Sequence, residues 1–105
     1  MKLNTLPTFR EKETFANLAL TLAKADGSLD LEELRLLRHF LTEMGFDEKN
    51  FMFHPVNLIT ACQCFSQPTS KNIVLANLTS LCTVSPLGSA KQTHLLQEIM
   101  LALQL

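Results

Sequence analysis

The stretch LAKADGSLDLEELRLLRHFLTEMGF, residues 22–46, decides the fold, because it holds the end of one helix, a sharp corner and a complete second helix. Leu34, Leu37 and Leu41 recur at three- and four-residue spacing, the pattern of one buried helix face. Asp30 and Glu33 have the spacing of a capping box, in which each side chain accepts from the other residue's backbone N–H. Gly45 follows the apolar positions and predicts the end of the second helix.

Working outward, the same spacing rules predict four more helices. Phe15, Leu18 and Leu22 form an apolar face in the helix before the corner, and Pro55 and Pro68 each suit the first position of a later helix. No segment alternates with a period of two, so no strand is expected. The chain therefore predicts an all-α fold, a compact bundle of about five helices in a single domain, residues 1–105. The predicted helices are Phe9 to Ala25, Leu31 to about Met44, Pro55 to about Phe65, Pro68 to the break at residues 84–89, and about Ala90 to the end.

The two ends of the chain resemble each other. A shift of 59 residues superimposes the apolar positions of the second helix on those of the last helix, and places DLEE, residues 30–33, on SAKQ, residues 89–92. A shift of 60 matches ANL at residues 16–18 with ANL at residues 76–78. Chance similarity between leucine-rich helices is one explanation. We favour a degenerate duplication of a helix–corner–helix unit, because corner and apolar face repeat together.

Composition excludes several classes of protein. The formal net charge is −1 and Lys and Arg do not cluster, which argues against a nucleic-acid-binding surface. No apolar run reaches the roughly 18 residues of a membrane-spanning helix, and the N-terminus does not have the pattern of a signal peptide. Three cysteines without a secretory signal indicate reduced thiols and a cytoplasmic location.

Charge is distributed unevenly along the chain. Residues 1–53 carry seven basic and nine acidic side chains, whereas residues 54–105 carry only Lys71, Lys91 and Glu98. A typical domain would have roughly thirteen charges in a segment of that length. Either uncharged polar residues cover this half, or a protein partner or a second copy of the chain covers it.

The acidic corner invites comparison with a calcium-binding EF-hand loop. With Gly27 at the sixth position of such a loop, the first and third ligand positions fall on Leu22 and Lys24, so two ligands are missing. The pattern therefore predicts at most a weak site for a divalent cation such as calcium, and no other cofactor. The candidate metal ligands are Asp26, Asp30 and Glu33.

The stretch LAKADGSLDLEELRLLRHFLTEMGF resembles the tellurite-resistance TerB-like family, which includes N-terminal domains of some DnaJ-type co-chaperones. The resemblance covers residues 14–46 and, at the level of helix order, the whole chain. It implies two related helical halves, often with an acidic corner in each that is suspected of holding a divalent cation. The second corner departs from this pattern, because Ser89 and Gln92 stand where acids would be expected.

The remaining reactive residues form no recognisable catalytic set. Cys62 and Cys64 are two residues apart on a predicted helix and would point away from each other. His39 could ligate a metal with Glu43, but we favour the interpretation that both are solvated surface side chains. A thiol-based redox enzyme using Cys62 or Cys64 is therefore the least favoured hypothesis.

These observations predict a non-enzymatic TerB-like interaction module, with a protein partner or a second copy bound through residues 54–105. The resemblance implies a bacterial stress-response or envelope-associated context. The alternative is a divalent-cation-binding domain that uses the acidic corner at residues 26–33. No nucleic-acid partner and no membrane insertion are expected.

Overall fold

The structure, a computed structural model, describes residues 3–25, 29–84 and 90–103. These residues form a short 3-10 helix, five α-helices and no strand, so the predicted all-α fold is confirmed. The 3-10 helix is Leu3–Thr5, and the α-helices are α1 (Phe9–Ala23), α2 (Leu31–Glu43), α3 (Leu58–Cys62), α4 (Pro68–Val84) and α5 (Ala90–Leu103).

The starts of four helices agree with the sequence prediction. Thr8 caps α1, and its hydroxyl accepts from the Glu11 N–H at 3.1 Å. Helices α2, α4 and α5 begin at Leu31, Pro68 and Ala90, as predicted. Local signals therefore determine these starts, since a cap residue or a proline acts within one helical turn.

The prediction for α3 is wrong. The helix begins at Leu58, with Asn57 as its cap, and not at Pro55. Residues 51–57 instead have no regular secondary structure and lie along α1, where the His54 N–H donates to Asn17 Oδ1 at 2.8 Å and the Val56 N–H donates to Thr21 Oγ1 at 3.2 Å. We call residues 51–57 the strap. These bonds to side chains of α1 satisfy two backbone N–H groups of the strap and hold it against the helix.

The N-terminal 3-10 helix was not predicted. It packs against α2 and α4, and its Leu3 side chain is fully buried. The Leu3 N–H donates to Glu43 Oε2 at 2.7 Å, which fixes this segment to the end of α2. Three residues are too few for a periodic pattern, so the sequence carries no clear signal for this element.

Helix α1 lies at the centre of the bundle and contacts each of the other four helices. Phe15, Leu18 and Leu22 of α1 are fully buried, as their spacing predicted. Met100 of α5, which the 59-residue shift places on Leu41 of α2, is 39% exposed, whereas Leu41 is buried. No helix within the described residues has both the length and the apolar composition needed to span a membrane.

A Schellman motif at Gly45 terminates α2, whose last residue is Glu43, so Gly45 acts as the predicted stop. The Phe46 N–H donates to the Leu41 carbonyl at 2.9 Å, and the Gly45 N–H donates to the Thr42 carbonyl at 3.1 Å. Gly45 has a φ of 85°, the left-handed conformation that this motif requires. A Cβ atom at Gly45 would meet no atom within 4 Å, so the constraint is conformational and not steric.

We expect Gly45→Ala to lower the free energy of unfolding by about 1 kcal/mol, because alanine is strained at positive φ. Gly45→Asn should cost less, since asparagine tolerates the left-handed conformation better than alanine. Urea denaturation of the three proteins measures both differences. Equal stability of the alanine variant and the parent chain would show that the motif does not constrain the end of α2.

Candidate functional site: the acidic corner

The capping box at the start of α2 forms as predicted. Asp30 Oδ1 accepts from the Glu33 N–H at 2.8 Å, and Glu33 Oε1 accepts from the Asp30 N–H at 3.4 Å. Both backbone donors lie at the N-terminus of a helix, where they have no partner within the helix itself. The positive end of the helix dipole also favours the two carboxylates here.

Glu33 is buried to an extent that the sequence did not predict. Only 2% of the residue is exposed, although the two residues before it, Leu31 and Glu32, are exposed. Glu33 Oε2 accepts a hydrogen bond of 2.7 Å from Nε2 of Gln92, which is also 2% exposed. A buried carboxylate loses several kcal/mol of hydration. Charge-assisted hydrogen bonds of this kind restore roughly 1.5–3 kcal/mol each.

Gln92 joins three helices. Besides its bond to Glu33, Nε2 donates to the Ala23 carbonyl at 3.0 Å. Ala23 is the last residue of α1, Glu33 lies in the first turn of α2 and Gln92 in the first turn of α5. We call the contact of Ala23, Asp30, Glu33 and Gln92 the corner junction. It fixes the end of α1 relative to the starts of the other two helices.

The corner junction brings together equivalent positions of the predicted repeat. Glu33 and Gln92 are 59 residues apart, the shift that superimposes α2 on α5. Shifting α1 by 60 residues places it within α4. Helix α1 contacts α5 and α2 contacts α4, as expected when two halves are related by an approximate two-fold axis. The sequence repeat places both residues at the same position of a helix start, but it did not predict that they contact each other.

The candidate metal ligands are only partly described. Asp26 lies outside the described residues. Asp30 and Glu33 lie in the same helical turn, but three of their carboxylate oxygens accept hydrogen bonds from Asp30, Glu33 and Gln92. Among residues 3–25, 29–84 and 90–103, no group of three or more His, Cys, Asp or Glu side chains is arranged to hold a metal ion. A cation at this corner would have to compete with these donors.

The histidine and cysteine candidates lie away from the corner or are unreactive. His39 lies 3.7 Å from Glu43 on α2, and Oε2 of Glu43 also accepts from the Leu3 N–H. Burial raises the pKa of Cys62 to about 11. Burial and, to a smaller extent, the Glu33 carboxylate raise the pKa of Cys82 to about 11. Both groups are thiols and not nucleophilic thiolates at neutral pH, which disfavours the redox hypothesis for Cys62.

Comparisons of the chain with protein-family models, with curated proteins and with solved structures find no match. The TerB-like resemblance of residues 14–46 therefore stays a prediction from the sequence. Any functional proposal has to be supported by the contacts and surfaces of the chain itself.

We expect Gln92→Glu to lower the free energy of unfolding by about 2–4 kcal/mol at pH 7, because two buried carboxylates would meet where an amide now donates. The pair would bind one shared proton, so the folded-state pKa of one carboxylate would rise above its unfolded value of about 4.3. The loss should therefore shrink as the pH falls from 7 towards about 4. Urea denaturation at several pH values, with a chelator present, measures this dependence.

Gln97→Glu is the matched control, because Gln97 lies exposed on the same helix. Gln97→Glu should change the free energy of unfolding by less than about 0.5 kcal/mol at every pH between 7 and about 4. Equal effects of the two substitutions would contradict the buried bond between Glu33 and Gln92.

The cation hypothesis predicts a weak site of about millimolar affinity, because the corner carboxylates already accept protein donors. Amide NMR titrations with calcium, magnesium, zinc and paramagnetic manganese test it. Manganese should broaden the amides of residues 29–34 first, and Asp26→Asn should remove the effect while Asp47→Asn, in an exposed turn, should not. Broadening that Asp26→Asn leaves unchanged would exclude Asp26 as a ligand.

Proposed function

We propose that the protein is a non-enzymatic, TerB-like interaction module whose contact surface lies in the charge-poor half, residues 54–105. The observation that carries the proposal is the outward face of α4. Apart from Pro68 at the start of the helix, the exposed residues of α4 are polar and uncharged, and Lys71 is the only charged residue of the helix. The exposed residues of this face are Thr69, Asn72, Thr79, Ser80 and Thr83. We call them the α4 face.

Polar side chains on and beside the α4 face bond to carbonyls of their own helix. The hydroxyl of Thr79 donates to the Leu75 carbonyl at 2.8 Å, and that of Ser80 donates to the Ala76 carbonyl at 3.2 Å. Thr83 and the half-buried Asn77 make corresponding bonds to carbonyls three and four residues back. These donors keep their partners when water is removed.

This arrangement lowers the cost of covering the α4 face with another protein. An uncharged group that already has a hydrogen bond avoids most of the penalty for burying an unsatisfied polar group. A charged side chain would lose several kcal/mol of hydration unless the partner supplied an opposite charge. Helix α2 shows the contrast within the same chain, since Glu32, Arg35 and Arg38 are exposed there.

The same half also exposes apolar area. Ile59 of α3 is 47% exposed, and Met100 and Leu101 of α5 are 39% and 76% exposed. Interface centres are depleted of charge and enriched in apolar residues, methionine among them. The favoured partner is a protein or a second copy of this chain. A bacterial stress-response or envelope-associated setting comes from the TerB-like resemblance alone, and the cytoplasmic location is inferred from three cysteines without a secretory signal.

We expect the protein to self-associate or to bind a protein partner through the α4 face, and Thr79→Lys to weaken that association at least about tenfold by placing a charge in the contact. Sedimentation equilibrium between about 10 µM and 1 mM measures self-association, within the range of weak protein contacts. Capture from a bacterial lysate, compared between the parent chain and the variant, measures binding of another protein.

Thr42→Lys is the matched control. Thr42 is an exposed threonine of α2 whose hydroxyl donates to the Arg38 carbonyl at 3.1 Å, as Thr79 does on α4. It should leave association unchanged. A monomer at all concentrations together with capture that Thr79→Lys does not alter would contradict the proposed contact surface.

A further inference from the structure

A surface cavity of about 290 Å³ lies between the N-terminal half of α1, the strap and α3. Arg10 and Thr14 line it from α1, Val56 and Asn57 from the end of the strap, and Thr60 and Ala61 from α3. It adjoins neither the corner junction nor the α4 face. Although residues 56–64 belong to the charge-poor half, the cavity shares no residue with the α4 face, so failure of either proposal leaves the other standing.

The polar groups of this cavity are mainly hydrogen-bond donors. Arg10 makes no ion pair within the described residues, and no Asp or Glu is among those that line the cavity. The side-chain hydroxyls of Thr14 and Thr60 make no hydrogen bond to any residue that the structure describes. Oδ1 of Asn57 accepts from the Thr60 N–H at 3.0 Å, which leaves the amide Nδ2 as a donor. One cation and three neutral donors suit a small anion that can accept several hydrogen bonds.

The cavity also has an apolar wall. Val56 and Ala61 line it, and the half-buried Cys64 lies beside them. Pockets that combine an apolar wall with a few converging polar groups are typical of small-molecule sites. An inorganic anion would leave the apolar wall in contact with water. A carboxylate attached to a short branched hydrocarbon group would use both parts.

The spacing of polar residues along α1 explains why the Arg10 guanidinium lies at the cavity. Five polar residues follow one face of the helix at alternating spacings of four and three: Arg10, Thr14, Asn17, Thr21 and Lys24. The strap occupies the middle of this face through its bonds to Asn17 and Thr21. Arg10 and Lys24 are left at its two ends. Lys24 lines a second cavity, of about 350 Å³, together with Leu20, Phe53 and Pro55. The lining of this second cavity includes one threonine, Thr21, and no side-chain amide.

We propose that the cavity at Arg10 binds a carboxylate that carries a short branched apolar group. The Arg10 guanidinium pairs with the carboxylate, the hydroxyls of Thr14 and Thr60 donate to its oxygens, and the hydrocarbon group lies against Val56 and Ala61. A free short-chain acid and the C-terminal residue of a peptide both have this chemistry. Isovalerate serves as the probe for the first source and N-acetyl-glycyl-valine for the second.

Amide NMR titrations at pH 7 and low ionic strength test the proposal on the full chain. Isovalerate or the peptide should cause saturable shifts in residues 10–14 and 56–64 at about millimolar concentration, the affinity expected for so small a ligand. The corresponding amides, isovaleramide and N-acetyl-glycyl-valinamide, are neutral and should cause no saturable shift. Tighter binding of the peptide assigns the site to chain ends, and tighter binding of isovalerate assigns it to free acids.

Two matched variants separate the site from general attraction between charges. Arg10→Gln should weaken binding about fivefold or more, and Lys24→Gln, which removes the cation at the other end of the same helix face, should change it by less than about twofold. Arg10 is exposed, so Arg10→Gln should fold, and its thermal unfolding is measured alongside. Equal loss in the two variants, equal shifts from acids and amides, or no saturable shift would each overturn the proposal.

Discussion

The hydrogen bond between Glu33 and Gln92 is the constraint on which the arrangement of the two halves depends. A carboxylate with 2% exposure is stable only where protein groups replace its water. The N-terminus of α2 supplies one donor to this carboxylate, and the Gln92 amide from α5 supplies another. Since the same amide also bonds to the Ala23 carbonyl, the two halves meet in one fixed register.

The difference between the two corners is what makes this contact favourable. Two acids at these positions would repel each other unless they shared a proton. Two amides would lose the charge-assisted bond and the attraction of the helix dipole. One acid facing one amide avoids the repulsion between two carboxylates and keeps the charge-assisted hydrogen bond. An amide at position 92 therefore stabilises the buried Glu33 carboxylate with a group from the chain itself.

The parts of the fold that depend on neighbouring residues were predictable from the sequence. The capping box of Asp30 and Glu33, the stop at Gly45 and the start at Pro68 each act within about one helical turn. The contact of Glu33 with Gln92 was not predicted, because a repeat assigns equivalent roles without showing which equivalent residues meet. At the corner, the sequence therefore identified the capping acids but not the amide that faces one of them.

The strap was missed for a related reason. Pro55 carries a local signal for a helix start, and the competing bonds come from Asn17 and Thr21, more than thirty residues away. A polar residue within a helix gives no sign of which backbone group it will bond. The cavity at Arg10 was missed in the same way, since it exists only because the strap lies beside α1.

The strap also links the integrity of α1 to the chain that follows it. Asn17 and Thr21 lie side by side only while the residues between them are helical, because four residues make about one turn. The amides of His54 and Val56 therefore depend, for protection from hydrogen exchange, on bonds to a helix to which they do not belong. Local fraying of α1 would expose them, so these two amides report on the opening of the central helix from a distant part of the sequence.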